Sequence, residues 1–191
     1  MHKHLLEVIG QQVIVSDRES ELCMEYFEAV VGSKHSVLEE AGKVPDYLYF
    51  IVSGYVRLFY INESGDEITT HINCPPGFIT SYSSFISQTK AAENVACVTD
   101  CELLRITKKN LDLLVSQSAS FQDFSIRVFQ QSITYNEKRS IELATLSAEQ
   151  RYQNLMKHYP GILQNVPLQY IASFLGMNAK SLSRIRKQVI R

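Results

Sequence analysis

Between Gln150 and Arg191 the sequence holds seven Lys or Arg residues, namely Arg151, Lys157, Lys180, Arg184, Arg186, Lys187 and Arg191, and no Asp or Glu. Cationic groups with no carboxylate nearby suit phosphate oxygens, and a planar guanidinium can also grip paired acceptors on a guanine edge. The remaining 149 residues carry 12 of the 19 basic residues and all 20 acidic ones, so a block of +7 follows a block of −8. A polyanion would be repelled by the larger block and held by the smaller one.

Within the basic block, Leu168 to Lys187 has the pattern of a twenty-residue helix-turn-helix. Gly176 stands where the chain must turn with positive φ, which costs glycine nothing. Ala172 stands where two helices approach most closely, and Ile171, Leu175, Met177, Leu182 and Ile185 supply a small core. Pro167 is expected at the first helical position, where its missing N–H matters least. The second helix then presents Ala179, Lys180, Ser181, Ser183, Arg184, Arg186 and Lys187 to solvent. Arg184 is expected to read a base edge, with Lys180 and the two serines beside it on bases or phosphates. Arg186 and Lys187 are expected on phosphate, setting affinity and salt dependence.

Other chemistry has less support. Cys23, Cys74, Cys97 and Cys101 fit neither a C-x-x-C pair nor a zinc spacing, and reduced thiols in a cytoplasmic protein are expected. His2, His4, His35, His71 and His158 are scattered, and the one His-x-His is His2-Lys3-His4 at the terminus, so neither a metal nor catalysis is expected. The apolar runs, such as Val13 to Val15 and Leu48 to Val52, are far below membrane-spanning length.

The elements that position the basic block follow from periodicity. Helical patches lie within about Leu5 to Val31, at Leu22, Tyr26, Ala29 and Val30, with Ser20, Glu19 and Glu21 suited to a helix start, and one N-terminal helix is expected there. Short β-branched and aromatic runs follow: Tyr47 to Val52, Tyr55 to Ile61, Glu67 to Asn73, Asn94 to Thr99 and Glu102 to Ile106. Val56, Leu58 and Tyr60 should share one strand face, with Tyr55, Arg57, Phe59 and Ile61 on the other. Ser53-Gly54 and Asn62 to Asp66 are turns, and Cys74-Pro75-Pro76-Gly77 ends a strand, which predicts a compact antiparallel roll. Helical spacing begins at Leu111, Leu114 and Val115 and continues from about Ser120 to Leu146. Ile126, Phe129 and Ile133, followed by Asn136, Ser140 and Leu143, have coiled-coil spacing and form a candidate dimer seam. The fold class predicted is α+β: an antiparallel β-roll over 1–107 with its N-terminal helix, helices over 108–146 and a helix-turn-helix over 147–191.

With a roll, a long helix and a C-terminal hairpin, the chain resembles the Crp/Fnr family of bacterial transcription regulators. The resemblance is carried by Ile171 to Lys187, by Asp46 to Tyr60 around Gly54, and by Ala148 to Pro160. Family members that bind a cyclic nucleotide hold its ribose with a Gly-Glu pair and its phosphate with an Arg-Ser/Thr-Ala segment. Here those regions read Gly77-Phe78-Ile79-Thr80 and Thr89-Lys90-Ala91-Ala92, without the carboxylate and with at best a lysine for the arginine. The resemblance therefore implies an effector pocket near Gly77, Phe78, Ile79, Thr80, Lys90 and Ala91 that does not take cyclic AMP in the usual way. Only Cys23 lies in the N-terminal part, so no iron–sulfur sensor is expected. The chain ends four residues after Lys187, so no full β-hairpin wing is expected, and Arg151 and Lys157 should supply phosphate contacts instead.

The function expected is a sequence-specific DNA-binding regulator, a homodimer on double-stranded DNA, with RNA polymerase and an unidentified small-molecule effector as further partners. The competing reading is a ligand-sensing roll that acts through a protein partner rather than DNA. A cupin-type enzyme would need converging metal ligands within the strands, which the histidines do not supply. No cofactor is expected.

Overall fold

The computed structural model describes residues 1–189. Arg191, counted in the basic block, lies outside them. The chain starts with two helices, α1 (His2–Gly10) and α2 (Asp17–Tyr26), and then enters strand β1 (Glu28–Gly32). This corrects the single expected helix. Ser16, not Ser20, caps α2: its hydroxyl accepts from the Glu19 N–H while the Glu19 carboxylate accepts from the Ser16 N–H, a reciprocal box that fixes the start. Ala29 and Val30, expected to be helical, lie on β1, which is zipped antiparallel to β8 (Cys101–Thr107).

The roll consists of two four-stranded antiparallel sheets. One runs β1-β8-β3-β6, with β3 at Tyr47–Ser53 and β6 at Gly77–Ile79. The other runs β2-β7-β4-β5, with β2 at Val37–Glu39, β7 at Asn94–Cys97, β4 at Val56–Ile61 and β5 at Glu67–Asn73. Between the sheets lie Tyr49, Ile51, Val56, Leu58, Val95 and Leu103. The outer face of the first sheet is also covered, because Leu48, Phe50, Leu104 and Ile106 pack on Leu5, Ile9, Phe27, Leu114, Phe121 and Phe124 from the helices. Two covered faces are why β3 reads as an apolar run without alternation. The helix α3 (Tyr82–Ser87) and the strands β2 and β6 are short and were not expected.

After β8 come α4 (Lys108–Gln117) and the 27-residue α5 (Ala119–Thr145). Thr107 and Ser118 cap them by accepting from Asn110 N–H and Phe121 N–H. The C-terminal part is helical throughout: α6 (Ala148–His158), α7 (Ile162–Asn165), α8 (Leu168–Phe174) and α9 (Ala179–Val189). Ser147 and Gln150 form a second capping box at the start of α6. Pro167 caps α8 from outside rather than opening its first turn.

The second face of β4 is not free. Val56, Arg57, Leu58 and Phe59 are all buried, because α8 packs on β5 and closes over that face. Among the described residues no helix is long and apolar enough to cross a membrane.

Candidate nucleic-acid interface

The turn between α8 and α9 is built by backbone bonds that the sequence anticipates. Gly176 has φ of +66°, its N–H donates to the Ser173 carbonyl at 2.9 Å, and the Met177 N–H donates to the Ala172 carbonyl at 3.0 Å. These two bonds close the end of α8 in the Schellman arrangement, which requires a left-handed residue at that position. Ile171, Ala172, Leu175, Leu182 and Ile185 are buried and Met177 is half-buried against them, so the expected core assembles. Asn178, which sequence reasoning passed over, starts α9: its Oδ1 accepts from the Ser181 N–H at 2.8 Å.

On α9, Lys180, Arg184 and Lys187 are exposed, while Ser181, Ser183 and Arg186 are half-buried. Among the described residues none of these cations pairs with a carboxylate. Arg186 differs from the others, since its side chain is half-buried and its Nε is buried without a hydrogen-bond partner.

Three arginines outside α9 hold this hairpin in place. Arg139 of α5 donates to the Phe174 carbonyl at 2.6 Å and lies 3.9 Å over the Phe174 ring. Arg151 of α6 donates to the Leu175 carbonyl at 2.9 Å and to the Leu146 carbonyl at 2.6 Å. Positive charge on the last carbonyls of α8 complements its dipole. Arg151 is therefore not the free phosphate ligand expected, whereas Lys157 is exposed. Arg57 of β4 is buried, with Glu67 at 2.5 Å, the Phe59 ring at 3.9 Å and the Tyr170 ring of α8 at 3.7 Å. The Thr69 N–H on the edge strand β5 donates to Ser173 Oγ at 2.9 Å.

The region expected to hold an effector is differently organised. Gly77, Phe78 and Ile79 form β6, with Ile79 in the roll core and the Phe78 ring tilted against Phe50 and edge-on to Phe124. Thr80 is buried and donates to Glu39 Oε1 at 2.8 Å, and the Ser81 N–H donates to Glu39 Oε2 at 2.9 Å. Burial pushes the Glu39 carboxyl above the usual carboxylate range against these two hydrogen bonds. Lys90 is exposed and Ala91 is buried, its N–H donating to the Lys43 carbonyl. The sequence reading missed Glu39, whose one signal was a carboxylate inside a short apolar strand.

Solved structures share the overall fold. FixK2 from Bradyrhizobium japonicum superposes with a TM-score of 0.74 at 13% identity, over 85% of this chain and 84% of that one. A protein of Eubacterium rectale assigned to the Crp/Fnr family of transcriptional regulators gives 0.69 at 14% identity, over 91% and 83%. The c-di-GMP responsive global regulator CLP of Xanthomonas campestris gives 0.63 at 16% identity, over 91% of both. The family described as cyclic nucleotide-binding domain matches residues 31–118. The chain has the fold of these Crp/Fnr structures. No curated protein matches it by sequence.

In this Crp/Fnr fold the match to the cyclic nucleotide-binding domain ends at residue 118, where Ser118 caps α5. Ile126, Phe129 and Ile133 of the expected seam are 49%, 44% and 51% exposed, and Ile141 is 55% exposed. Asn136 and Leu143, also exposed, make contacts within the chain as well. Asn136 Oδ1 is 2.8 Å from His71 Nε2 on the roll, and Leu143 packs beneath the Gly176 turn, where an added Cβ would come within 3.1 Å of it. The large apolar side chains of α5 left most exposed are thus Ile126, Phe129, Ile133 and Ile141. No group of three His, Cys, Asp or Glu residues able to hold a metal occurs among the described residues.

Proposed function

We propose that the chain is a sequence-specific, DNA-binding transcription regulator that works as a dimer on an inverted repeat. The observation that carries this reading is the exposed Lys180, Arg184 and Lys187 face of α9, set on a rigid hairpin with no carboxylate beside it. A recognition helix of this kind enters the major groove, with Arg184 on a guanine edge and Lys187 on phosphate. The exposed apolar row on α5 supports pairing with a second copy, since an isolated helix gains little from leaving such side chains in water. Two copies related by a two-fold axis would set their α9 helices about 34 Å apart, one turn of duplex.

The effector in this reading is not cyclic AMP held in the usual way. The Glu39 carboxylate already takes the hydrogen bonds of Thr80 and Ser81, and a second anion placed there would meet it at close range.

Selection of bound duplexes from a random pool tests the proposal. The expected product is an inverted repeat with half-site centres about 10 base pairs apart. Arg184→Ala should relax one position of each half-site by about 1–3 kcal/mol, while Lys187→Ala should weaken all sequences alike and flatten the salt dependence. Absence of duplex affinity even at low salt refutes it and favours a roll acting through a protein partner.

A further inference from the structure

Cys97 ends β7 and Cys101 begins β8, so the two thiols bracket the turn Val98-Thr99-Asp100. Both are buried in the roll core, at 2% and 3% exposure. Cys97 Sγ sits where a Cβ on Gly32 would come within 2.5 Å of it, and Cys101 Sγ sits 2.6 Å from a Cβ placed on Gly54. Two small residues thus leave the space that brings both sulfurs into the same end of the roll. The Cys101 thiol donates to the Tyr55 carbonyl at 3.4 Å and the Thr99 carbonyl at 3.3 Å.

This end of the roll faces both solvent and the DNA-reading helices. A cleft of about 270 Å³ opens beside the pair, lined by Gly32, Ser33, Asp100 and Cys101 among others, large enough for a peroxide molecule. On the other side, Val98 is 1% exposed and packs into the core of the C-terminal helices with Tyr152, Leu155 and Ile162. Tyr55, whose carbonyl accepts from both Cys101 Sγ and the Val98 N–H, packs against that same core.

We propose that Cys97 and Cys101 are a peroxide-oxidisable dithiol whose closure shifts the Val98 turn against the C-terminal helices. The Cys97 thiolate attacks one oxygen of hydrogen peroxide, the O–O bond breaks, and hydroxide leaves to take up a proton as water, which makes Cys97 a sulfenic acid. The Cys101 sulfur then attacks the Cys97 sulfur, the S–O bond breaks, and the hydroxyl leaves with the Cys101 proton as a second water. Two thiols have lost two electrons and one peroxide has gained them.

Cys97 is the better nucleophile of the two. Its pairing with Cys101 lowers the Cys97 thiol below the usual range, whereas Cys101 is raised by the same pairing and by burial. Cys23, in a different core, is pushed up to about 12 by burial, and burial also raises Cys74.

The test is mass spectrometry of the full chain, titrated with hydrogen peroxide, unfolded and alkylated. The tryptic peptide from Ala91 to Arg105 contains both cysteines, and it should lose two alkylation sites and two mass units, reversibly with dithiothreitol. In Cys101→Ser, dimedone should label Cys97. The proposal fails if that peptide keeps two free thiols at peroxide levels that oxidise Cys74. Hydrogen exchange on the wild-type chain tests the shift without any variant: exchange over Tyr152 to Phe174 should change on oxidation, and an unchanged pattern overturns the coupling. Neither readout involves DNA, so either can fail while the proposed function stands.

Discussion

Glu19 and Glu39 are both carboxylates in hydrogen bonds, yet their environments give their contributions to stability opposite signs. Glu19 is partly exposed and accepts from the Ser118 hydroxyl and from the Ser16 backbone and hydroxyl, which hold it down to about 2. A folded value below the ordinary 4.5 adds stability that is present above pH 4.5 and lost as pH falls toward 2. Glu39 is buried and its value is raised, so its ionisation opposes folding at neutral pH, and that penalty is relieved as pH falls through the raised value. Urea midpoints measured from pH 8 to pH 3 should therefore rise on mild acidification before they fall. Glu39→Gln should remove the rise and Glu19→Gln should flatten the fall; a Glu39→Gln difference that is constant between pH 8 and 5 contradicts this reading. Single residues were the least legible feature of the sequence. Arg151 looked like its basic neighbours, because a backbone carbonyl as partner leaves no trace in composition. Gly176 was legible because a left-handed turn narrows the choice to almost one residue type.

Elements were legible wherever one local rule decided them. The hairpin of α8 and α9 and the strands β3, β4 and β5 appear at nearly the expected bounds, since turn glycines and dense β-branched runs mark them. The N-terminal segment was misread because helical patches on α2 run directly into apolar residues of β1, and only pairing with β8 makes those residues a strand. Helix α5 divides along its length. Its first turns bury Phe121 and Phe124 on the roll, and further along Ile126, Ile133 and Ile141 are left about half exposed. Ile126→Gln with Ile133→Gln should then convert a dimer to a monomer in sedimentation equilibrium and lower a thermal midpoint that depends on concentration in the wild type. A wild-type chain that sediments as a monomer at high concentration would show that the row serves another purpose. At the start of α6, Ser147→Ala removes one side of a capping box and should cost about 1 kcal/mol in urea unfolding.

At the scale of the whole molecule, the sequence suggests two blocks with opposite charge, and the structure joins them through contacts between residues more than a hundred positions apart. Thr69 meets Ser173, and Arg57 lies between Phe59 of the roll and Tyr170 of α8. No periodicity or motif encodes such a pairing, so Arg57 read as an ordinary strand cation. Its alternation with Val56 and Leu58 places it on the wall opposite the roll interior, against Tyr170 of α8. A desolvated cation over an aromatic face is worth about 2 kcal/mol, and Arg57 makes two such contacts as well as its ion pair with Glu67. Burial of the guanidinium offsets part of that gain. The joint should still be strong enough that roll and hairpin unfold together, giving one calorimetric transition in the wild type. Tyr170→Ala removes one ring and leaves the guanidinium on Glu67 and Phe59, so it should loosen the joint without stranding a buried charge. The expected result is two resolved transitions, together with faster hydrogen exchange at Thr69. A single transition shifted by a few degrees would mean that Val98 and the carbonyl-capping Arg139 and Arg151 suffice to couple the blocks without the Arg57 contact.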